Sequence, residues 1–279
     1  MHSLFAVIVL KKMSNNFNPP NEVTGESQST YSVLEEVGKG GNARVYKCVN
    51  EATSSEYAIK FQIKLYGNRA SRFDKEIKLN KAIDRHVHLI EYIDSGRYRK
   101  NPFIVMELAE KTLTKRFEDK EDFTKEEYFA QFRGLSKALA CLHKQAIHRD
   151  IKPDNILISN GSWLLSDYGL CKFNEDIEQD SITRDREKLG PAFWMSPEAN
   201  NLNCSIDDNI SKSSDVFQLA SIFWLIVNNT HPTGVLRKED WSGPEKLFEP
   251  IFNALHNDKN IRPKDGIEFA KQIEKAIIG

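Results

Sequence analysis

A chain of 279 residues, 40% hydrophobic and 28% charged, is long enough for one large domain or two closely joined lobes around a sizeable core. Its 39 basic and 40 acidic side chains nearly cancel, to a net charge of −1. That balance excludes a broad basic field for nucleic acid or an anionic membrane.

Cys48, Cys141, Cys171 and Cys204 form no C-x-x-C pair, so neither a disulfide scaffold nor a zinc ribbon is expected. Reduced thiols in a cytoplasmic protein are expected instead. Residues 1–12 hold an apolar run at 4–10, too short to span a bilayer and followed, not preceded, by Lys11 and Lys12. Met13 is a candidate alternative start. Residues 13–30 are rich in Asn, Ser, Pro and Thr, so 1–30 reads as a disordered leader.

The texture changes at Tyr31. Strand-type runs occupy 31–37, 43–49 and 56–63, and a helical pattern with Phe73, Ile77 and Leu79 follows at 69–84. Strands are expected at 88–94 and 103–108. Thr124, with Glu127 three residues on, has the form of a capping box opening a helix over 124–143. Apolar runs at 156–159 and 163–166 flank Asn160-Gly161, a hairpin turn. Residues 215–229 are apolar nearly all round but too short, and too interrupted by Gln218 and Ser221, to cross a membrane; a buried helix is expected. The layout is a small β-rich half followed by a larger helical half.

Several segments carry chemistry. Gly38, Lys39, Gly40 and Gly41 lie between two strands and lead to Val45, so their backbone N–H groups can face an anion. A plain hairpin reads equally well, and Ala43 stands where a third glycine would complete G-x-G-x-x-G. Lys60 ends the run Tyr57-Ala58-Ile59-Lys60, either as a solvated outer-face residue or as a grip on phosphates. Glu76 on the next helix is its candidate partner, and Asp74 competes.

The segment His148-Arg149-Asp150-Ile151-Lys152-Pro153-Asp154-Asn155 has the form H-R-D-x-K-x-x-N. Asp167-Tyr168-Gly169 follows the hairpin where D-F-G is the pattern, and Ser196-Pro197-Glu198 has the form of A-P-E. On these landmarks, all in order, residues 31–275 resemble the eukaryotic-type protein kinase family, in its Ser/Thr form.

The resemblance implies a bilobal α+β fold. An N-lobe with one helix would span 31–106, a hinge 107–109 and a mainly helical C-lobe 110–279. ATP would lie between the lobes, with a protein as the second substrate. Asp150 would orient and deprotonate the substrate hydroxyl, Lys152 would neutralise the γ-phosphate, and Lys60, held by Glu76, would grip the α- and β-phosphates. Asn155 and Asp167 would hold Mg²⁺. Gly38, Lys39, Gly40, Gly41, Val45, Ala58, Met106, Glu107 and Leu108 would line the nucleotide site, with the hinge backbone pairing with adenine. Glu198 would pair with Arg262, and Asp215 would anchor the catalytic-loop backbone.

Four departures bear on regulation and specificity. Tyr168 adds a hydroxyl that needs a partner if buried. Glu187 stands where the family's activation-loop phosphosite falls, eleven residues before Glu198. Either it pairs with Arg149 in place of a phosphate or it is a solvated loop charge, with Ser181 and Thr183 as autophosphorylation candidates. Pro191 replaces the threonine of Ser/Thr kinases and resembles tyrosine kinases, whereas Lys152 is the Ser/Thr form. Asn80, where the family packs an apolar residue, suggests a mobile helix and a partner-activated enzyme. The rivals are a catalytically weak pseudokinase-like scaffold, a tyrosine or dual-specificity kinase, and a small-molecule kinase.

Overall fold

The structure, a computed structural model, describes residues 17–179, 192–206 and 208–279. The expectations for 1–12, Met13, Ser181, Thr183, Glu187 and Pro191 lie outside the described residues.

A six-stranded antiparallel sheet comes first, in the order β1-β2-β3-β4-β6-β5. Its strands are β1 (Glu22–Thr24), β2 (Thr30–Lys39), β3 (Ala43–Asn50), β4 (Glu56–Gln62), β5 (Tyr92–Tyr98) and β6 (Asn101–Met106). Alternation sends Tyr46, Cys48, Ile59, Phe61, Phe103 and Val105 to one face, where they form a buried cluster. Phe17 packs on that cluster, its ring centroid 5.2 Å from that of Phe61. The helix α1 (Arg69–Ala82) joins β4 to β5 and buries Phe73, Glu76 and Leu79.

The larger half opens with β7 (Lys111–Thr112), α2 (Leu113–Glu118), α3 (Lys125–Leu142) and β8 (Ala146–Ile147). The hairpin β9 (Ile156–Ser159) and β10 (Ser162–Leu165) follows, then β11 (Lys172–Phe173) and α4 (Asn174–Gln179). The chain closes with α5 (Pro197–Asn203), α6 (Lys212–Asn228), α7 (Glu245–Ala254) and α8 (Gly266–Ile278). The apolar α6 is the centre of the second core, where Phe223 stacks on Phe132 of α3 at 3.8 Å and 7°. Leu79 of α1 joins this core, so the helix packs on both halves. The architecture is the bilobal α+β one expected. No helix among the described residues is long and apolar enough to cross a membrane.

Three local expectations need correction. The segment 17–30 is ordered: Val23 of β1 is buried and pairs with Tyr31, while the buried Asp94 carboxylate accepts from Ser27 Oγ (2.5 Å) and Tyr31 Oη (3.2 Å). Its polar residues have fixed partners, which composition does not reveal. The strand expected over 88–94 starts only at Tyr92, because Leu89 and Ile90 dock on the larger half; Ile90 N donates to Leu165 O at 3.0 Å. The capping box is half formed: Thr124 Oγ1 accepts from Glu127 N at 3.2 Å, but the Glu127 carboxylate binds the buried Arg116 guanidinium instead. The Asn160-Gly161 turn is as expected, with φ of 48° and 73°.

Candidate active site

The inner face of the sheet is set by register. Gly38 pairs with Val45, Val45 with Lys60, and Ala58 with Met106. Since i and i+2 share a face, Gly38, Val45, Ala58, Lys60 and Met106 all point away from the Phe61 cluster and toward the larger half. Lys39 ends β2 opposite Arg44, and Gly40 and Gly41 form the turn, closed by Gly40 N donating to Ala43 O at 3.0 Å. After Met106 the chain passes through Glu107 and Leu108 to the larger half. Glu107 N donates to Glu91 O (3.0 Å), and its carboxylate accepts from Ser159 Oγ (2.6 Å).

Lys60 Nζ reaches Glu76 Oε1 at 2.6 Å and Asp167 Oδ1 at 2.9 Å. Asp74, the competing acid, instead makes an exposed ion pair with Arg97 at 2.8 Å. Burial alone would depress the Lys60 ammonium, but Asp167 and then Glu76 more than reverse this and hold it above its ordinary range. Lys60 in turn holds the Asp167 carboxyl down to about 2. Burial pushes Glu76 up, against the pull of Lys60. Asn80 donates from Nδ2 back to Glu76 O (2.9 Å), one turn earlier on the same helix.

The catalytic-loop sequence forms one tight cluster. Asp150 Oδ2 accepts from Lys152 Nζ (2.8 Å) and from Asn155 Nδ2 (2.9 Å). The same Asn155 nitrogen donates to Asp150 O at 2.8 Å. Asp150 N donates to His148 Nδ1 (3.3 Å), so the ring's Nε2–H is the one facing Ser166 O at 3.1 Å. Ser166 donates from both N and Oγ to Asn155 O, each at 2.9 Å, which ties the loop to the residue before Asp167. The two expected groups, Lys60–Glu76–Asp167 and Asp150–Lys152–Asn155, are thus linked through Ser166.

Beneath the loop lies Asp215, fully buried in the first turn of α6. Its Oδ2 accepts from His148 N (2.6 Å) and its Oδ1 from Arg149 N (2.8 Å). His143 Nδ1 accepts from Gly266 N, so its Nε2–H donates to Asp215 Oδ2 at 3.0 Å. Gln218, three residues along α6, accepts from Ile151 N at 3.1 Å. Arg149 and Asp167 both take left-handed backbones, with φ of 72° and 62°. Such strain persists where surrounding bonds over-determine it, as Asp215 does at Arg149.

Glu198 and Arg262 meet as anticipated: Arg262 Nη2 donates to Glu198 Oε2 at 2.6 Å, and Ser214 Oγ adds a bond to Oε1. The Tyr168 hydroxyl is buried and donates to Leu165 O at 3.2 Å. His143, Ser166, Ser214 and Gln218 were not anticipated as positioning residues. Gln218 carried a signal, since an amide buried in the middle of a largely apolar helix must find a partner.

The sequence profile described as Protein kinase domain matches residues 31–276. The MAP kinase-interacting serine/threonine-protein kinase 2 of Xenopus laevis is 28% identical over 222 residues, 75% of this chain and 47% of its own. The serine/threonine-protein kinase PknL of Mycobacterium tuberculosis is 30% identical over 213 residues, 74% of this chain and 51% of its own. The dual specificity protein kinase TTK of Mus musculus is 26% identical over 272 residues, 91% of this chain and 29% of its own. The chain therefore spans about half or less of the length of these relatives. With the profile covering nearly all described residues and the motif side chains gathered in one cleft, the chain belongs to the protein kinase family.

Proposed function

We infer that this protein is a catalytically competent serine/threonine kinase, transferring the γ-phosphoryl group of ATP to hydroxyls of protein substrates and of itself. The observation that carries the reading is the Lys60–Glu76 ion pair, made while Lys60 also holds Asp167. A scaffold that had lost catalysis would have no use for a buried acid and a strained Asp167 aimed at one lysine.

In this reading Gly38, Lys39, Gly40 and Gly41 offer backbone N–H groups to the phosphates. Val45, Ala58 and Met106 supply the apolar walls for adenine, and Glu107 and Leu108 present backbone groups to its edge. Lys60 grips the α- and β-phosphates, and Glu76 keeps it aimed. Asp150, oriented by Lys152 and Asn155, accepts the proton of the substrate hydroxyl as its oxygen bonds to the γ-phosphorus and the bond to the β-phosphate oxygen breaks. Lys152 stabilises the charge on the transferring group.

The residues present also fit Mg²⁺. Asn155 spends its amide nitrogen on Asp150, so its oxygen is what it can offer a cation. Asp167 is held ionised by Lys60. Among the described residues no three His, Cys, Asp or Glu side chains are placed to hold a metal ion together. Two oxygen ligands completed by phosphates and water suit Mg²⁺, which keeps much of its hydration. Bound there, Mg²⁺ would neutralise phosphate charge and align the leaving group. The four cysteines are free, which fits the cytoplasmic location we favour.

The test uses purified protein, labelled Mg·ATP and a mixture of proteins, beside Asp150→Ala. Phosphoserine and phosphothreonine, absent with the variant, are expected. Phosphotyrosine would favour the dual-specificity reading that Pro191 suggests. ATP binding without transfer would favour the scaffold.

A further inference from the structure

The turn carrying Gly40 and Gly41 ends on Asn42, and Asn42 is tied to two other elements. Its carbonyl accepts from Ile63 N (2.9 Å) and Lys64 N (3.3 Å), just past the end of β4. Its side-chain Oδ1 accepts from Arg69 Nε at 3.1 Å. Arg69 is the first residue of α1. Its guanidinium lies 4.2 Å from the Tyr66 ring centroid, and Nη1 donates to Tyr66 O at 3.3 Å, so the fork is held in place before it meets Asn42. Gly67, at φ 63°, allows the chain to fold back between Tyr66 and the helix.

Two spacings give this contact a meaning. Arg69 and Glu76 are seven residues apart, about two helical turns, so they share a face of α1. Lys60 lies two residues before Gln62, which pairs with Ala43, the residue after Asn42. Asn42 is therefore where the glycine turn, the strand of Lys60 and the helix of Glu76 meet. Besides its own Gly40 N to Ala43 O bond and the two backbone bonds onto Asn42 O, the turn has this one side-chain tie to α1, and a Cβ at Gly41 would meet nothing within 4 Å.

We propose that Asn42 and Arg69 are positioning residues that latch the glycine turn to α1, so that nucleotide on the turn and Glu76 on Lys60 favour each other. The proposal rests on the reading of the turn as the phosphate-facing edge of the cleft. Such coupling is reciprocal: a well-placed α1 raises nucleotide affinity, and nucleotide steadies α1 by the same factor. One hydrogen bond to a charged donor at an exposed site supports an effect of about three- to tenfold at most.

The test is a double-mutant cycle on the full chain with Asn42→Ala, Arg69→Gln and both together. Read out are the Kd for Mg·ATP, the melting temperature and amide hydrogen exchange. Each single variant is expected to weaken Mg·ATP binding about three- to tenfold, and the double variant no further than the worse single. Exchange should quicken reciprocally, over 69–76 in Asn42→Ala and over 40–45 in Arg69→Gln, with the melting temperature within about 2 °C of wild type. Multiplying effects in the double variant, Kd values within about twofold of wild type, or faster exchange confined to the mutated element would each overturn the latch. Failure of the wild-type chain to bind Mg·ATP would sink the kinase reading instead. The exchange experiment without nucleotide would still decide whether the two elements are coupled.

Discussion

Asp215 beneath the catalytic loop and Asp167 beside Lys60 hold their charges in opposite surroundings. Asp215 is wholly buried and takes three hydrogen bonds, from His148 N, Arg149 N and His143 Nε2. Asp167 sits at the mouth of the cleft with 46% of its side chain exposed, bound to Lys60 and to Gly169 N. A carboxylate taken out of water costs several kcal/mol, and only its full set of donors offsets that. A pair with one partner half exposed is partly screened and contributes about 1 kcal/mol at most. Asp215 therefore belongs to the architecture. In the proposed function, Lys60 and Asp167 would exchange part of their mutual contact for phosphate and a cation at little cost to the fold.

The largest effect should come from the buried side of this contrast. Asp215→Ala leaves two backbone N–H groups and the His143 N–H buried without an acceptor. A loss of ~3–5 kcal/mol is expected, read as a lower urea midpoint at unchanged slope, together with loss of activity. Asp167→Asn tests the exposed side. The amide keeps an acceptor for Gly169, so stability at pH 7 should fall by ~1 kcal/mol at most, while phosphoryl transfer drops ~100-fold or more. Equal destabilisation by the two variants would break the contrast.

Acid titration separates the two carboxylates further. Lys60 depresses the folded-state Asp167 pKa to about 2, below its ordinary 3.8. The stability it contributes is therefore complete above about pH 4 and is lost as the pH falls toward about 2. The melting temperatures of wild type and Asp167→Asn should differ at neutral pH and converge over that interval. A gap that persists at pH 2 would show that the exposed carboxylate acts through packing, not charge.

Much of the small lobe was legible because its signals are local. Strand-type runs marked β2, β3 and β4, and in the larger half Asn160-Gly161 likewise fixed the hairpin. Strands of two residues, such as β7, β8 and β11, have no period to read, and they exist only because β9 and one another lie alongside. β1 was hidden by a polar composition whose hydroxyls turn out to serve Asp94. α8 carried an unread cue: Asp265 caps Glu268 N at 2.9 Å ahead of Phe269 and Ile273. In the site, residues close in sequence could be grouped from the motif alone. Asp215 and the Glu198–Arg262 pair came through the family resemblance, since no local pattern joins residues more than sixty apart. His143 and Ser166 stayed invisible, because their roles depend on which way one imidazole tautomer and one hydroxyl face.

The smallest effect sharpens the same logic from the acceptor's side. Tyr168 is buried, and burial raises its hydroxyl pKa well above the ordinary value, so it stays a neutral donor to Leu165 O. Tyr168→Phe removes that donor and nothing else of the ring. Leu165 O is not orphaned, because Ile90 N also donates to it at 3.0 Å. One lost bond with its acceptor still satisfied should cost ~0.5–1 kcal/mol, against ~3–5 kcal/mol for the three stranded donors around Asp215. Transfer activity should stay within about twofold, since the ring keeps its edge-on contact with His148 at 5.7 Å. A loss above ~2 kcal/mol would mean that the hydroxyl, and not the ring, sets the turn that carries Asp167. The Asp167 backbone would then belong with Asp215 among the parts that the fold cannot spare.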